Sequence, residues 1–367
     1  MVIGSFDLPK NNIAEITLIG TSGGYGESVV IHLGDQNWVV VDSCQDPVTK
    51  TCLPLDYLVN IGVNVEKQVK MVICTHWHSD HIMGLSELVE KCKEAKFCFA
   101  PCSDLHKFQL FVGIDQKKIK INRTTEEFSK CLNLTSSRGK EIIRALQDRN
   151  LLNLNFGEIQ STVFSLSPSD ATLTAYDFEI STLIKDINPN NRILKNGPNS
   201  KSVALLIHLG KHKAILGADL EVSKNKDEGW INIIDNSQVL DKDNPASFFK
   251  VPHHGSENGY NIRIWKELLL HNPVAKLTPY SPSKLPRKEM VKIFEDHTKN
   301  LFITSSNIET HKAKARERSL EKAIKEYRPN LFEVKYNQGL IRSRIQLDDV
   351  DCIWSTDTYG PAYQVIN

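Results

Sequence analysis

Short apolar blocks broken by glycine and polar turns dominate the first hundred positions. Residues 14–20 (AEITLIG), 28–33 (SVVIHL) and 37–43 (NWVVVDS) are rich in β-branched side chains, and the pattern predicts buried strands joined in part by a hairpin. Residues 70–76 (KMVICTH) form another such run. Residues 84–92 then place Leu85, Leu88, Val89 and Cys92 at helical spacing. A strand therefore runs into a polar loop, HWHSDH, and the loop into a helix.

Residues 103–160 differ in character. They are rich in Lys, Glu, Asn and Gln, with helical stretches near 126–132 and 140–152, and read as a helical insertion over one edge of the core. Strand patterns return at 161–167. Residues 202–219 hold two apolar runs around LGKHK, a hairpin signal. A helix is expected after Glu221. Residues 247–256 (SFFKVPHHGS) predict a strand ending in a histidine-bearing loop. Helices are expected at 261–272 and 286–297 around a strand at 274–278, with a late strand at 301–306 and a charged helix at 312–326. The tail has a weak strand pattern. Strands mixed with helices throughout predict an α/β (α+β) layered fold, and the hairpins predict mixed or antiparallel sheets. Residues 1–305 are read as one domain, and 306–367 as an extension packed on it.

Composition adds limits. The chain has 367 residues, 40% hydrophobic and 24% charged, as expected of a soluble globular protein. Lys+Arg is 45 and Asp+Glu is 44, so the net charge of +1 predicts no bulk attraction to nucleic acid or acidic membranes. Two basic stretches, Lys117, Lys118, Lys120 and Arg123, and Lys312, Lys314, Arg316 and Arg318, read first as solvated faces. Eight cysteines without a CxxC pair, several inside apolar runs, predict free thiols and a cytoplasmic setting. No signal-peptide pattern or membrane-spanning run is evident.

The chemistry centres on His76, His78, Asp80 and His81. Residues two apart on an extended segment face the same way, so His76 and His78 can grip one metal ion from one side. Asp80 and His81 follow in a tight loop and can aim at a second. Imidazole nitrogen and carboxylate oxygen suit zinc, with manganese as the alternative. Further candidates end other strands: Asp219 after AILGA, and His253 and His254 after FFKVP. By itself Asp219 reads as a turn or cap residue. The HisHisGlySer loop is a stronger signal, because Gly255 permits close backbone approach. Asp42, ending WVVVD, is assigned to orient a ligand histidine through its other ring N–H. Glu27 and Ser28 are placed near the site.

These residues resemble a known superfamily. THWHSDH matches the HxHxDH signature of metallo-β-lactamase-fold hydrolases. The order VDS, THWHSDH, LGAD and PHHGS resembles the branch that holds the domain of competence DNA-uptake (ComEC-type) proteins and bacterial phosphorylcholine esterases. The resemblance spans roughly residues 14–305. It implies a four-layer αβ/βα sandwich with two metal ions at one edge of paired sheets. It also implies that His76 and His78 bind one ion, that Asp80 and His81 bind the other, that Asp219 bridges both, and that His254 completes the second site. His253 is then a substrate contact or proton donor. Many members carry a further ligand histidine, for which His106, His208 and His212 are the candidates here, none in a family-like context.

The expected reaction is hydrolysis by a metal-activated hydroxide, with Asp80 and Asp219 orienting the nucleophile and His253 protonating the leaving oxygen. The leading expectation is a phosphodiesterase or nuclease acting on nucleotide or nucleic-acid phosphodiesters. Alternatives are a hydrolase of a carboxylic ester, lactone or phosphorylcholine ester, and a non-catalytic metal-stabilised module. A protein partner docking on the C-terminal extension is a further expectation.

Overall fold

Alternation along the strands sends successive side chains to two different cores. In β3 (Trp38–Val41), Val39 and Val41 enter one apolar cluster while Trp38 and Val40 enter another. In β4 (Val69–Cys74), Met71 and Ile73 likewise part from Val72 and Cys74. Both strands are buried on both faces and must sit between layers.

The protein is represented by a computed structural model that describes residues 7–21, 24–100, 123–139, 141–185, 198–306 and 338–366. Among these, the strands form two eight-stranded sheets. The first joins β1 (Ile13–Thr21), β2 (Glu27–His32), β3, β4, β5 (Lys96–Phe99) and β6 (Ile142–Arg144), with β14 (Gln338–Gln346) and β15 (Ser355–Tyr359) on the β1 side. The second joins β7 (Arg149–Phe156), β8 (Ile159–Ser165), β9 (Leu205–Leu209), β10 (His212–Leu216), β11 (Ala246–Lys250), β12 (Leu269–Leu277) and β13 (Leu301–Ile303), with β16 (Tyr363–Gln364) at the β13 edge.

Each sheet has an antiparallel part and a parallel run, β3 to β6 in the first and β10 to β13 in the second. Parallel neighbours need crossovers, and helices supply them. Leu53–Asn60, Leu85–Lys91 and Arg123–Ser137 serve the first sheet; Gly229–Asn236, Ile264–Leu268 and Lys288–His297 serve the second. One core lies between the sheets and one lies under each helical layer, giving the αβ/βα sandwich. Lys276 of β12 ties the sheets together inside the central core. Its buried Nζ donates to the Ile16 carbonyl at 2.8 Å and the Ile341 carbonyl at 2.9 Å.

Two expected helices are corrected. Within the described part of 140–152 the chain forms β6 and the start of β7, because β7 pairs with β8 as a hairpin and ladder bonds outweigh local helix preference. Within 261–272 only a short helical turn around Ile264–Leu268 forms. Pro273 disfavours helix at Asn272, and β12 pairs with β11 instead. The basic stretch at 117–120 and the expected helix at 312–326 lie outside the described residues.

Candidate metal centre

The parallel runs aim their C-terminal ends at one place, as open α/β sheets do with binding sites. Asp42 follows β3, and His76 and His78 follow β4. Asp219 follows β10, and His253 and His254 follow β11. His78 precedes the short helix Ser79–Ile82, which carries Asp80 and His81. Three backbone bonds lock the loops together: Ser43 N–H to the His81 carbonyl at 2.8 Å, His253 N–H to the Ala218 carbonyl at 2.9 Å, and Val203 N–H to the Thr75 carbonyl at 3.1 Å. Asp42, Ala218, His253 and His254 all hold positive φ, between 45° and 59°. Such left-handed backbone in non-glycine residues is strained and clusters at functional sites. Gly26 is needed for close approach, since a Cβ there would meet Cys44 Cβ at 2.7 Å and the Asp80 carbonyl oxygen at 3.3 Å.

Three donor groups occur among the described residues: two share Asp219, and the third, Asp42, His76 and His81, is the set whose rings Asp42 and Thr75 orient. Of the two that share Asp219, Asp80, His81, Asp219 and His254 form one; His76, His78 and Asp219 form the other; in each, the donor atoms lie within 4.8 Å of one another. His254 Nε2 stands 3.1 Å from Asp80 Oδ2 and 3.4 Å from Asp219 Oδ2. His81 Nε2 stands 3.4 Å from Asp219 Oδ1, and His76 Nε2 is 3.7 Å from Asp219 Oδ2. Apart from half-buried His78, these side chains are buried.

Neighbouring groups fix which ring nitrogen faces inward. The Thr278 carbonyl can only accept, so His254 donates to it through Nδ1 at 3.0 Å. Asp42 Oδ2 accepts from His81 Nδ1 at 2.8 Å. Thr75 donates its backbone N–H and its hydroxyl to Asp42 at 2.7 and 2.6 Å, and its hydroxyl oxygen is 3.0 Å from His76 Nδ1. All three rings thus turn Nε2 toward the carboxylates, the arrangement metal-ligating histidines use. His76 Nε2, His81 Nε2 and Asp219 Oδ1 are buried without a hydrogen-bond partner among the described residues. Orphaned polar atoms at such depth are costly, and a divalent cation is the partner that satisfies lone pairs from imidazole and carboxylate together.

The electrostatics agree. Burial disfavours the charged form of His81, yet Asp219 and Asp80 outweigh it and push the imidazole well above its usual range. His254, equally buried, is raised to about 10, chiefly by Asp219. Burial would raise Asp80 and Asp219, but His81 and His254 hold both carboxyls below the ordinary range. Burial and the neighbouring His81 keep His76 neutral. The pocket is a field that favours positive charge.

The structure separates the two adjacent histidines: His254 joins a donor group and His253 does not. His253 Nδ1 meets Asn258 Oδ1 at 2.9 Å, and its Nε2 meets the Asn199 amide at 3.0 Å. Ser28 donates to the Asp42 carbonyl at 2.9 Å and so shapes that turn. His208 packs on Phe164, and His212 bonds the Gln346 and Asp349 carbonyls; neither joins a donor group. His106 lies outside the described residues. Sequence reading missed Thr75, Lys250 and Tyr280. The Tyr280 ring stacks on His254 with centroids 5.0 Å apart. Their identities carry no metal-ligand signal, and only the position of Thr75 beside the HxH run offered a hint.

The model of the metallo-beta-lactamase superfamily matches residues 21–101, which contain Glu27, Asp42 and the whole HWHSDH loop. The two-sheet architecture is the sandwich of that fold. No curated protein matches the chain. Among solved structures, the metallo-beta-lactamase fold protein YhfI from Bacillus subtilis is 15% identical, with 65% of this chain and 70% of that one covered and a TM-score of 0.33. A metallo-beta-lactamase from Cronobacter sakazakii is 10% identical over 64% and 75%, with a TM-score of 0.33. The dizinc quorum-quenching lactonase AidC is 12% identical over 53% and 55%, with a TM-score of 0.30. Among the described residues no helix is long and apolar enough to cross a membrane.

Proposed function

We propose that the chain is a metal-dependent hydrolase that cleaves phosphodiesters of nucleotides or nucleic acid. The observation that carries this reading is the pair of donor groups joined through Asp219, with buried lone pairs that have no partner among the described residues. His76, His78 and Asp219 would hold one divalent cation, and Asp80, His81, Asp219 and His254 the other, with zinc as the first choice and manganese as the second. Such ions, when bound, make water acidic enough to attack near neutral pH and counter the charge that develops on both attacking and leaving oxygens. That double demand is strongest in a phosphodiester, which is why this substrate class is preferred over a carboxylic ester or lactone.

The protein's own groups then have distinct tasks. Asp80 and Asp219 accept hydrogen bonds from the attacking water and aim it. Asp42 and Thr75 hold His81 and His76 in the required tautomer. His253, at the rim, protonates the leaving oxygen once Asn199 has released its Nε2 and that nitrogen has taken up a proton from solvent. The motif order supports the competence-like (ComEC-type) branch. The described cysteines are free and all but Cys352 are buried, which supports a cytoplasmic setting. A protein partner for the C-terminal extension remains part of the proposal.

The test is a panel of DNA, RNA, cyclic nucleotides and bis(p-nitrophenyl) phosphate offered to zinc- or manganese-loaded protein. Hydrolysis of at least one phosphodiester is expected. Turnover confined to a lactone, thioester or phosphorylcholine ester would overturn the assignment.

A further inference from the structure

We infer that Lys250 and Glu27 form a buried counter-ion pair that sets the charge and the open geometry of the second donor group, Asp80, His81, Asp219 and His254. The inference rests on the cation-binding part of the proposed function and not on its substrate.

Glu27 begins β2, and Lys250 ends β11 in the opposite sheet. Their charged ends pair directly, with each side chain 3% exposed. Lys250 Nζ also donates to the Ala218 carbonyl at 3.1 Å. That oxygen accepts the His253 N–H as well, so one carbonyl joins the Asp219 turn to the His253–His254 turn. Ala218 has a φ of 45°, a conformation that needs outside support. Lys250 supplies a charge-assisted bond to it.

Glu27 is a carboxylate at the margin of the donor set. Its Oε1 is 3.8 Å from His81 Nε2, and its Oε2 is 3.9 Å from His254 Nδ1. Oε2 is buried with no hydrogen-bond partner among the described residues. A carboxylate so near would become a further ligand if released, filling a coordination position that water and substrate need. Lys250 holds it back. It also corrects the local charge. Asp42, Asp80, Asp219 and Glu27 sum to −4, and Lys250 returns +1, giving −3. Two divalent cations would leave a net +1, suited to hydroxide and an anionic substrate; without Lys250 the sum would be zero.

The two partners therefore have opposite expected effects, which a merely structural role would not produce. Zinc and cobalt(II) would be titrated against a competing chelator into wild type, Lys250→Met, Glu27→Gln and the double variant, with folding followed by circular dichroism. Lys250→Met should tighten the second cation by about tenfold or more and weaken the visible cobalt absorption, as the released Glu27 adds a ligand. Glu27→Gln should loosen the second cation by a similar factor, because Lys250 is left unopposed. The double variant should regain the wild-type cobalt spectrum. Loss of affinity in both single variants, or no change in either, would overturn the inference. If Lys250→Met fails to fold, an unchanged second-cation affinity in Glu27→Gln overturns it alone. Because these are binding and spectral readouts, they stand even if no phosphodiester is cleaved.

Discussion

The two sheets contribute to the centre in different ways. The first sheet delivers His76, His78, Asp80 and His81 from one loop, within six residues. The second delivers Asp219 and His254 singly, from two strand ends joined by the Ala218 carbonyl. A compact loop can fix its side chains largely by itself, whereas the separate contributions depend on strand register and on strained turns. Yet Asp219 comes from the dispersed half. The motif-rich half supplies most of the candidate donors, and the motif-poor half supplies the residue that two donor groups share.

The sharpest way to break this comparison is to remove that shared residue. Asp219→Ala should abolish binding of both cations and lower activity by more than the roughly 100-fold loss typical of outer-sphere changes. His78→Ala should remove one cation only. Elemental analysis of the two purified variants checks this, and equal metal content in both would contradict the shared role of Asp219.

Asp42→Asn tests whether the first-sheet loop is as self-sufficient as it looks. Asp42 accepts from His81 Nδ1 and holds Thr75. A loss of about 10- to 100-fold in cation affinity is expected, measured by competition with a chromogenic chelator.

Acid–base linkage joins the halves, since His81 of the first sheet and His254 of the second are both raised by the shared carboxylates. In chelator-treated protein His254 sits at about 10, above its ordinary 6.5. A folded-state pKa raised in this way contributes stability that is complete below pH 6.5 and lost as pH climbs through about 10. The melting temperature of chelated protein should therefore fall across that window. Cation-loaded protein should be more stable than the chelated form by about 2.7 kcal/mol when free metal is 100 times Kd, and its melting temperature should not show the same decline. Differential scanning fluorimetry at several pH values reads both.

The smallest effect is expected at His208. It packs on Phe164 and belongs to no donor group among the described residues. His208→Gln should leave metal content at the wild-type value, and a lost equivalent would reveal a ligand that the geometry does not include.

The sequence alone carried the layered α/β pattern, the hairpin of β9 and β10, and the HWHSDH loop, because each is encoded by neighbouring residues whose spacing reports directly on local geometry. It also made His254 and Asp219 candidates, but their weight came from resemblance rather than from spacing. Tertiary structure decided the rest. It turned part of 140–152 into strand, since pairing with β8 is invisible to local propensity. It distinguished His254 from His253, because consecutive positive φ values send adjacent rings to different surroundings. It also brought Lys250 to Glu27 and Thr75 to Asp42, contacts between residues 223 and 33 positions apart along the chain. Local chemistry is written in short range, and a cluster of donors from two sheets is not: its members converge only after the sheets have packed and buried the charges that need one another.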